Sequence, residues 1–225
     1  MICLAHRGAS GHKPENTLGA IARALELGAK WIEIDVYSVE DQLVVIHDDK
    51  LERTTSGHGY VMESTLQYLK SLDAGEGEQI PFLEEVFQLV SRKAGINIEL
   101  KGPETAEPVV AFLTKQFSLG WTSEDVLISS FDISELVRAK RLAPDLRIGP
   151  LMREISMEGI ELAKQLGAYS VNASMEHMQE HLVKQAHVRG LKVFAYTVNS
   201  PEDIQRMRAW GVDGVFSDFP ERVLT

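Results

Sequence analysis

Residues 31–36, Trp31-Ile32-Glu33-Ile34-Asp35-Val36, form the stretch that decides the fold. This short, largely apolar run is typical of a strand in a parallel sheet whose two faces are both covered. Gly28 precedes it, where the C-cap of a helix is expected. Before the glycine, apolar residues between Leu18 and Leu25 recur at spacings of three and four, which indicates an amphipathic helix. The stretch therefore predicts one helix–strand unit of an α/β fold.

The same alternation continues along the chain in both directions. Eight apolar runs predict strands, at Ile2–Ala5, Trp31–Val36, Ile96–Leu100, Val126–Ser130, Arg147–Leu151, Tyr169–Ala173, Lys192–Val198 and Gly214–Ser217. Further segments with helical periodicity lie between them, at Leu83–Val90, Val109–Phe117, Ile133–Leu142, Ile160–Leu166, Leu182–Val188 and Ile204–Trp210. Glycines precede five strands, as helix C-caps would, at Gly28, Gly95, Gly167, Gly190 and Gly211. Eight strands alternating with helices predict a single (β/α)8 TIM barrel domain over residues 1–225.

Two segments interrupt this rhythm. Val39-Glu40-Asp41-Gln42 separates two extended runs, which indicates a hairpin rather than a helix. Because the two arms of this hairpin have about equal lengths, it would return His47 to the level of Asp35. Residues 49–81 are rich in Gly, Ser, Thr and charged residues and are too long for a simple connection. They predict a small insertion beside the mouth of the barrel.

Three acidic residues lie on two of the predicted strands. Glu33 and Asp35 are two positions apart on the second strand, so their side chains point to the same side. Glu99 lies near the end of the third strand, and the C-terminal ends of barrel strands are where active sites form. Three carboxylates in one small volume cannot all stay ionised without a counter-charge. Oxygen ligands favour one hard divalent cation, Mg²⁺ or Ca²⁺, over Zn²⁺.

Basic residues adjoin the same strand ends. His6 and His47 are the histidines best placed for the mouth, and imidazole titrates near neutral pH, which suits proton transfer. Arg7 offers a planar fork to phosphate oxygens, and Lys101 offers a point charge. A cation site with Arg and Lys beside it favours an anion on which negative charge grows, and so indicates phosphoryl chemistry.

Two simpler interpretations remain open at this point. The acids could form ion pairs at the barrel mouth, Glu33 with Arg7 and Glu99 with Lys101. A sugar isomerase would use similar metal ligands, although it has less need of Arg7.

Composition excludes several other classes of protein. The formal charge of −10 argues against non-specific nucleic-acid binding, which needs basic patches. Cys3 is the single cysteine, so neither an intrachain disulfide nor a thiolate metal cluster can form. The sequence has no secretory or membrane-spanning pattern, so we expect a cytoplasmic protein without membrane insertion. His177 and His181 are four apart on a predicted helix, yet they lack the flanking Glu and third ligand of a zinc site; a solvated helix face is expected.

A series of short motifs runs along nearly the whole chain in a fixed order. In the first half they are His6-Arg7-Gly8, Pro14-Glu15-Asn16-Thr17, Glu33-x-Asp35, His47-Asp48, Arg53-Thr54-Thr55, Ile80-Pro81 and Glu99-x-Lys101. In the second half they are Ser129-Ser130-Phe131, Thr197-Val198-Asn199, Gly211-Val212-Asp213-Gly214 and Ser217-Asp218-Phe219-Pro220. Together they resemble the glycerophosphodiester phosphodiesterases.

This resemblance implies a (β/α)8 barrel that hydrolyses glycerophosphodiesters to glycerol 3-phosphate and an alcohol. By position in the motifs, the metal ligands would be Glu33, Asp35 and Glu99, and the general acid and base would be His6 and His47. Arg7 and Lys101 match the phosphate contacts, and the segment after His47 matches an insertion that distinguishes the family. Tyr196 and Ser217 replace the Trp and Thr of many relatives. Phe131 and Tyr196 are candidates for lining the substrate pocket.

Several alternatives stay open. The attacking group could be water or the glycerol 2-hydroxyl, and either histidine could be the base. A related phosphodiesterase would act on lysophospholipids, although residues 49–81 lack an extended apolar run. A catalytically inactive barrel would only bind glycerophosphodiesters. The alcohol headgroup, the preferred ion and the oligomeric state are not determined by the sequence.

Overall fold

The computed structural model describes residues 1–224. Its strands are β1 Ile2–Ala5, β2 Trp31–Val39, β3 Gln42–Val45, β4 Gly95–Leu100, β5 Val126–Ser130, β6 Arg147–Met152, β7 Ser170–Ser174, β8 Lys192–Tyr196 and β9 Gly214–Ser217. Its α-helices are α1 Leu18–Glu26, α2 Leu66–Ser71, α3 Leu83–Val90, α4 Ala106–Ser118, α5 Ile133–Leu142, α6 Met157–Gln165, α7 Glu180–Val188, α8 Pro201–Ala209 and α9 Pro220–Leu224. Short 3₁₀ helices span Val61–Glu63 and Met175–His177.

Eight parallel strands close into a barrel, which confirms the predicted TIM-barrel fold. Neighbouring strands follow the order β1-β9-β8-β7-β6-β5-β4-β2, and pairing of β2 with β1 closes the ring. Outward residues of β2 and β4, such as Ile34 and Ile98, pack in the apolar layer beneath the helices. Inside the barrel, Leu4, Phe194 and Phe216 belong to a separate apolar cluster. The barrel is therefore a packed core with its chemistry confined to one end.

The predicted hairpin is present between β2 and β3. Glu40 and Asp41 form its two-residue turn with φ angles of 46° and 62°, the left-handed conformation that suits the twist of paired strands. Beyond β3, the N–H of Ile46 donates to the carbonyl of Asp35 at 3.0 Å. The chain thus returns to the level of Asp35 immediately before His47, as the equal arm lengths predict.

Residues 49–81 pack against this hairpin rather than against the barrel interior. Leu51, Val61, Leu69 and Ile80 are buried in one cluster together with Tyr37 of β2. Burial of this apolar surface fixes the inserted segment beside the mouth, where it can contribute side chains to the site.

Three local predictions are wrong in instructive ways. Gly95 does not end a helix: α3 ends at Val90 with Ser91, φ 46°, as its C-cap, and Gly95 begins β4, where a Cβ would lie 2.8 Å from the Trp31 ring. β8 ends at Tyr196 rather than continuing to Val198. His177 and His181 do not share one helix, because the chain is extended at Met178, whose buried side chain separates the 3₁₀ turn from α7. Both histidines are exposed.

Within residues 1–224, no helix combines the length and apolar character needed to cross a membrane.

Candidate active site

Three carboxylates converge inside the C-terminal end of the barrel. Glu33 and Asp35 lie on β2, and Glu99 lies on the neighbouring β4, where it pairs in register with Asp35. One oxygen from each lies within 4.8 Å of the others, and all three side chains are buried. The even spacing along β2 and the parallel register with β4 therefore bring these acids together.

The acids share too little positive charge to stay ionised together. Burial, followed by the negative charges of Asp35 and Glu99, raises the pKa of Glu33 well above its usual range. Burial and Asp35 raise the pKa of Glu99 to about 7. Burial also acts to raise the pKa of Asp35. The positive charges of Lys101 and Arg7 outweigh burial, so the pKa of that carboxyl is lowered. Lys101 Nζ lies 3.6 Å from Oδ1 of Asp35, and Arg7 Nε lies 3.5 Å from Oδ2.

One oxygen of Asp35 is hydrogen-bonded, whereas the other has only the ammonium group of Lys101 at 3.6 Å. The side-chain amide of Asn16 donates to Oδ2 at 2.8 Å and accepts the Asp35 backbone N–H at 3.3 Å. Asn16 reaches both groups from a left-handed backbone with φ 59°. Oδ1 of Asp35 is buried without a hydrogen-bond partner, an arrangement that costs free energy unless another ligand satisfies it. This orphaned oxygen fits a cation held among the three acids.

His6 directly follows β1 and is fixed by a carboxylate from the far end of the chain. Its Nδ1 lies 2.6 Å from Oδ1 of Asp218, which follows β9. Asp218 also accepts hydrogen bonds from Asn199 at 2.6 Å and Ser10 at 2.9 Å. Burial acts to raise the pKa of Asp218, but these hydrogen bonds outweigh it and lower the pKa to about 2. Asp218 is therefore ionised at neutral pH and orients the imidazole.

His47 lies just beyond β3 and, like His6, contacts a carboxylate through Nδ1. Its Nδ1 lies 2.5 Å from Oδ1 of Asp48. Burial is the main cause that lowers the pKa of His47; Asp35 opposes it, and the positive charges of Arg7 and Lys101 reinforce it. The neutral imidazole is therefore favoured at neutral pH, with Nδ1 directed at Asp48.

The two cations at the mouth contact the acids differently. Lys101 Nζ donates to Glu99 at 2.7 Å, so this pair of the ion-pair interpretation is present. Arg7 contacts Glu33 through its backbone N–H at 2.9 Å, whereas its guanidinium donates to Glu15 at 2.6 Å. Arg7 adopts a left-handed backbone, φ 54°, which directs that N–H inward. The ion-pair interpretation therefore accounts for Glu99 but leaves Glu33 without a cationic side chain in hydrogen-bonding contact.

A pocket of about 180 Å³ opens over the acids. Its lining comprises His6, Arg7, Glu33, His47, Glu99, Ser129, Phe131, Leu151, Tyr196, Thr197 and Phe216. Asp35 and Lys101 are not part of this lining. The rings of Phe131 and Tyr196 meet edge to face at 6.1 Å, and the Tyr196 hydroxyl donates to the Met152 carbonyl at 2.6 Å. A larger cleft of about 850 Å³, near Leu43 and Phe112, contains none of the clustered acids or the two histidines.

The sequence motifs contain the residues that hold this site, but sequence reasoning assigned those residues no role. Asp218 and Asp48 orient the histidines, and Asn16 fixes Asp35. Asp218 directly follows a strand, so the rule that polar residues at strand ends are functional candidates would have identified it. Asn16 lies in a loop, and no spacing rule connects it to β2.

Known proteins resemble this chain in both sequence and fold. The model of the glycerophosphoryl diester phosphodiesterase family matches residues 6–222. A glycerophosphodiester phosphodiesterase of Caldanaerobacter subterraneus subsp. tengcongensis is 40% identical, with 99% of this chain and 96% of that protein aligned. Another from Bacillus subtilis is 34% identical, over 98% of this chain and 84% of that protein.

A solved structure of an Oleispira antarctica phosphodiesterase, in complex with the product sn-glycerol-3-phosphate, superimposes with a TM-score of 0.91. It is 33% identical, and the alignment covers 100% of this chain and 95% of that one. Family match, sequence identity and backbone similarity all extend over nearly the entire length. The chain belongs to the glycerophosphoryl diester phosphodiesterase family.

Proposed function

We propose that this protein hydrolyses glycerophosphodiesters to glycerol 3-phosphate and an alcohol, using one divalent cation and two histidines. The observation that carries the proposal is the cluster of three buried carboxylates beside two carboxylate-bound histidines at one pocket. Support also comes from relatives named glycerophosphodiester phosphodiesterase and from the product bound to the Oleispira antarctica phosphodiesterase.

Glu33, Asp35 and Glu99 would hold the cation. The orphaned Oδ1 of Asp35 and the raised pKa values of Glu33 and Glu99 are what an acidic ligand set displays without its positive charge. Hard carboxylate oxygens fit Mg²⁺ or Ca²⁺. When bound, the ion supplies Lewis-acid stabilisation of the negative charge that develops on the phosphate.

Arg7 and Lys101 are assigned to the phosphate group of the substrate. The guanidinium of Arg7 is anchored on one edge by Glu15, so its planar fork approaches an anion in a fixed orientation. Lys101 is anchored by Glu99, which lines the pocket, and contributes its charge beside it. A phosphodiester bound here is oriented by the protein before any bond breaks.

His6 and His47 are assigned to proton transfer. Each uses Nδ1 to contact a carboxylate, so Nε2 is the ring nitrogen through which it can exchange a proton with the substrate. One histidine accepts the proton of the attacking oxygen as the phosphorus–oxygen bond forms. The other donates a proton to the alkoxide that leaves. Both assignments of acid and base fit this geometry, and so do water and the glycerol 2-hydroxyl as the attacking group.

Phe131 and Tyr196 are assigned to the glycerol or headgroup portion of the substrate. Phe131 is 47% exposed although it is a large apolar ring, as expected of a side chain that covers a ligand. The hydroxyl of Tyr196 already donates to a backbone carbonyl, so its ring face is the part available for contact.

A coupled assay for glycerol 3-phosphate release tests this function. Metal-stripped protein receives Mg²⁺ or Ca²⁺ and then glycerophosphocholine, glycerophosphoethanolamine or glycerophosphoglycerol, with lysophosphatidylcholine as the comparison substrate. We expect glycerol 3-phosphate from the water-soluble diesters after ion addition. Hydrolysis of the lysolipid would release choline and lysophosphatidic acid, so its turnover is measured as choline release and is expected to be absent. The proposal is wrong if no diester is cleaved with either ion, or if chelation leaves turnover unchanged.

A further inference from the structure

Arg53, in the inserted segment, contacts two carboxylates that come from separate parts of the chain. Its Nε and Nη2 donate to the two oxygens of Asp48, and the Nη2 distance is 2.8 Å. Nη1 and Nη2 also donate to the two oxygens of Glu15, both at 2.8 Å. One guanidinium is therefore bidentate to each of two acids, the geometry in which Arg gives the greatest directional constraint.

The first of these acids leads to His47. Asp48 uses Oδ1 to contact both Nδ1 of His47 and Nη2 of Arg53. Hydrogen bonds from Arg53 are the main cause that lowers the pKa of Asp48, so this carboxylate stays ionised and accepts the imidazole N–H. Arg53 therefore contacts the same carboxylate oxygen that contacts the His47 ring.

The second acid leads to Arg7. Glu15 accepts from Nη1 of Arg7 at 2.6 Å through the same oxygen that accepts from Arg53. Arg7 in turn lies 3.5 Å from Asp35. Glu15 is only 20% exposed, whereas Arg53 is 48% exposed. A series of contacts therefore runs from the exposed guanidinium of Arg53 through Glu15 and Arg7 to the buried acids.

We propose that Arg53 is a positioning residue that sets the orientation of His47 and Arg7 together, through Asp48 and Glu15. The inference rests on the proposed function, because it treats His47 as a proton-transfer group and Arg7 as a phosphate contact. The inserted segment, through Arg53, would then hold the side chains of His47 and Arg7 in fixed orientations at the barrel mouth. An ordinary surface ion pair would not do this, since it would contact one partner and move freely.

Substitution of Arg53 distinguishes this task from a structural one. Arg53→Gln removes the charge and the fork, while Arg53→Lys keeps the charge without the planar fork. We expect turnover to fall about 10- to 100-fold in Arg53→Gln, with Arg53→Lys intermediate, as for other residues that orient an active-site group through a hydrogen bond. Arg189→Gln is the matched control, because Arg189 also contacts a carboxylate and a second side chain and lies outside the pocket lining.

The two arms of the contact chain have different kinetic signatures. Loss of the Asp48 arm acts on proton transfer and therefore on kcat, whereas loss of the Glu15 arm acts on phosphate binding and therefore on KM. In an Asp48→Asn background, Arg53→Gln is expected to change kcat less than about threefold while still raising KM. In a Glu15→Gln background, the same substitution is expected to lower kcat and leave KM nearly constant.

Histidine-ring ¹⁵N NMR provides a readout that needs no substrate. The wild-type protein is expected to hold His47 in the Nδ1–H tautomer, and Arg53→Gln is expected to mix the two tautomers. His187 serves as the internal reference, because its ring contacts Asp213 away from the pocket.

The inference is overturned if His47 keeps the same tautomer in Arg53→Gln, or if the activity loss matches that of Arg189→Gln. Additive effects in both double-variant backgrounds would also overturn it. A wild-type protein that cleaves no glycerophosphodiester would instead overturn the proposed function, and the NMR comparison would still decide whether Arg53 positions His47.

Discussion

Each of the two histidines at the mouth contacts a carboxylate through Nδ1, His6 with Asp218 and His47 with Asp48. The carboxylates reach the site from β9 and from the hairpin, so similar arrangements approach the pocket from different elements. A carboxylate partner fixes both the ring direction and the tautomer of an imidazole. The orientation of the two imidazole rings therefore depends on residues outside the pocket lining.

Asp218→Asn tests this dependence for His6. The amide can keep one hydrogen bond to the imidazole but loses the negative charge, so His6 is expected to populate the wrong tautomer. We expect kcat to fall about 10- to 100-fold while the affinity for Mg²⁺ or Ca²⁺ stays within about threefold. Steady-state kinetics and calorimetric ion titration measure the two effects, with the exposed Asp145→Asn as control. Normal turnover in Asp218→Asn would contradict the role given to this carboxylate.

At the scale of elements, α3 and α5 begin and end at the residues predicted from the sequence, Leu83–Val90 and Ile133–Leu142. In both helices the apolar periodicity begins where a side chain satisfies a backbone N–H at the N-terminus. Asp132 is the N-cap of α5, and Glu85 accepts the N–H of Phe82 at the start of α3. Other helices extend beyond their predicted bounds: α4 begins at Ala106 rather than at Val109, because a first turn with a single buried residue adds too little to a periodicity. Apolar periodicity in the sequence therefore predicts where a helix lies more reliably than it predicts the first and last residues of that helix.

Part of the site follows from pattern and part does not. The acids Asp35 and Glu99 are register partners on neighbouring strands, so the strand pairing alone brings them together. The contacts from Arg53 to Glu15 join a loop to the insertion across 38 positions of sequence. They depend on how residues 49–81 pack against the hairpin, and no local periodicity encodes that packing. The residues of the pocket could thus be predicted, whereas the network behind them required the structure.

Asp213, directly before β9 at the end of the barrel opposite the site, contacts α7 and β8 and offers a stability test. It accepts hydrogen bonds from Lys192 at 2.8 Å, His187 at 2.8 Å and the Val193 N–H at 2.9 Å. Burial acts to raise the pKa of Asp213, but these contacts outweigh it and lower the pKa. A carboxyl with a lowered folded pKa stabilises the fold above its unfolded pKa, and that contribution is lost as pH falls through the folded pKa.

We therefore expect Asp213→Asn to lower the free energy of unfolding by about 1–2 kcal/mol at pH 7. The difference from wild type should shrink below about pH 4, where the unfolded carboxyl is protonated. Urea unfolding at several pH values measures this, with Asp145→Asn as the surface control. A difference that stays constant as the pH is lowered would show that the ionised carboxylate is not the cause.

For the whole molecule, the barrel combines an apolar interior with a cluster of acids at one end. Leu4, Leu127, Phe194 and Phe216 fill the inside, and Glu33, Asp35 and Glu99 occupy the mouth. Buried carboxylates with raised pKa values favour the protonated state in the fold. Without an added positive charge, the stability they contribute is present below their unfolded pKa and is lost as pH rises through the folded value.

Thermal unfolding with and without divalent ion tests this balance. For metal-stripped protein we expect Tm to fall as pH rises through about 7, the pKa of Glu99. An ion at 100 times its Kd should add about 2.7 kcal/mol, or roughly 5–10 °C in Tm, with the largest effect at high pH. Glu99→Gln should lose most of this response, whereas Glu124→Gln, at an exposed position, should keep it. A Tm that changes with neither Mg²⁺ nor Ca²⁺ would contradict a cation site at the three acids.

The central claim is that proton transfer by His6 and His47 operates beside this acidic cluster. Turnover of His6→Ala and of His47→Ala, measured as glycerol 3-phosphate release with ion binding monitored in parallel, tests it most directly. The account predicts that each variant loses at least about a hundredfold in kcat and still binds the ion as wild type does. Near-normal turnover in either variant would contradict it.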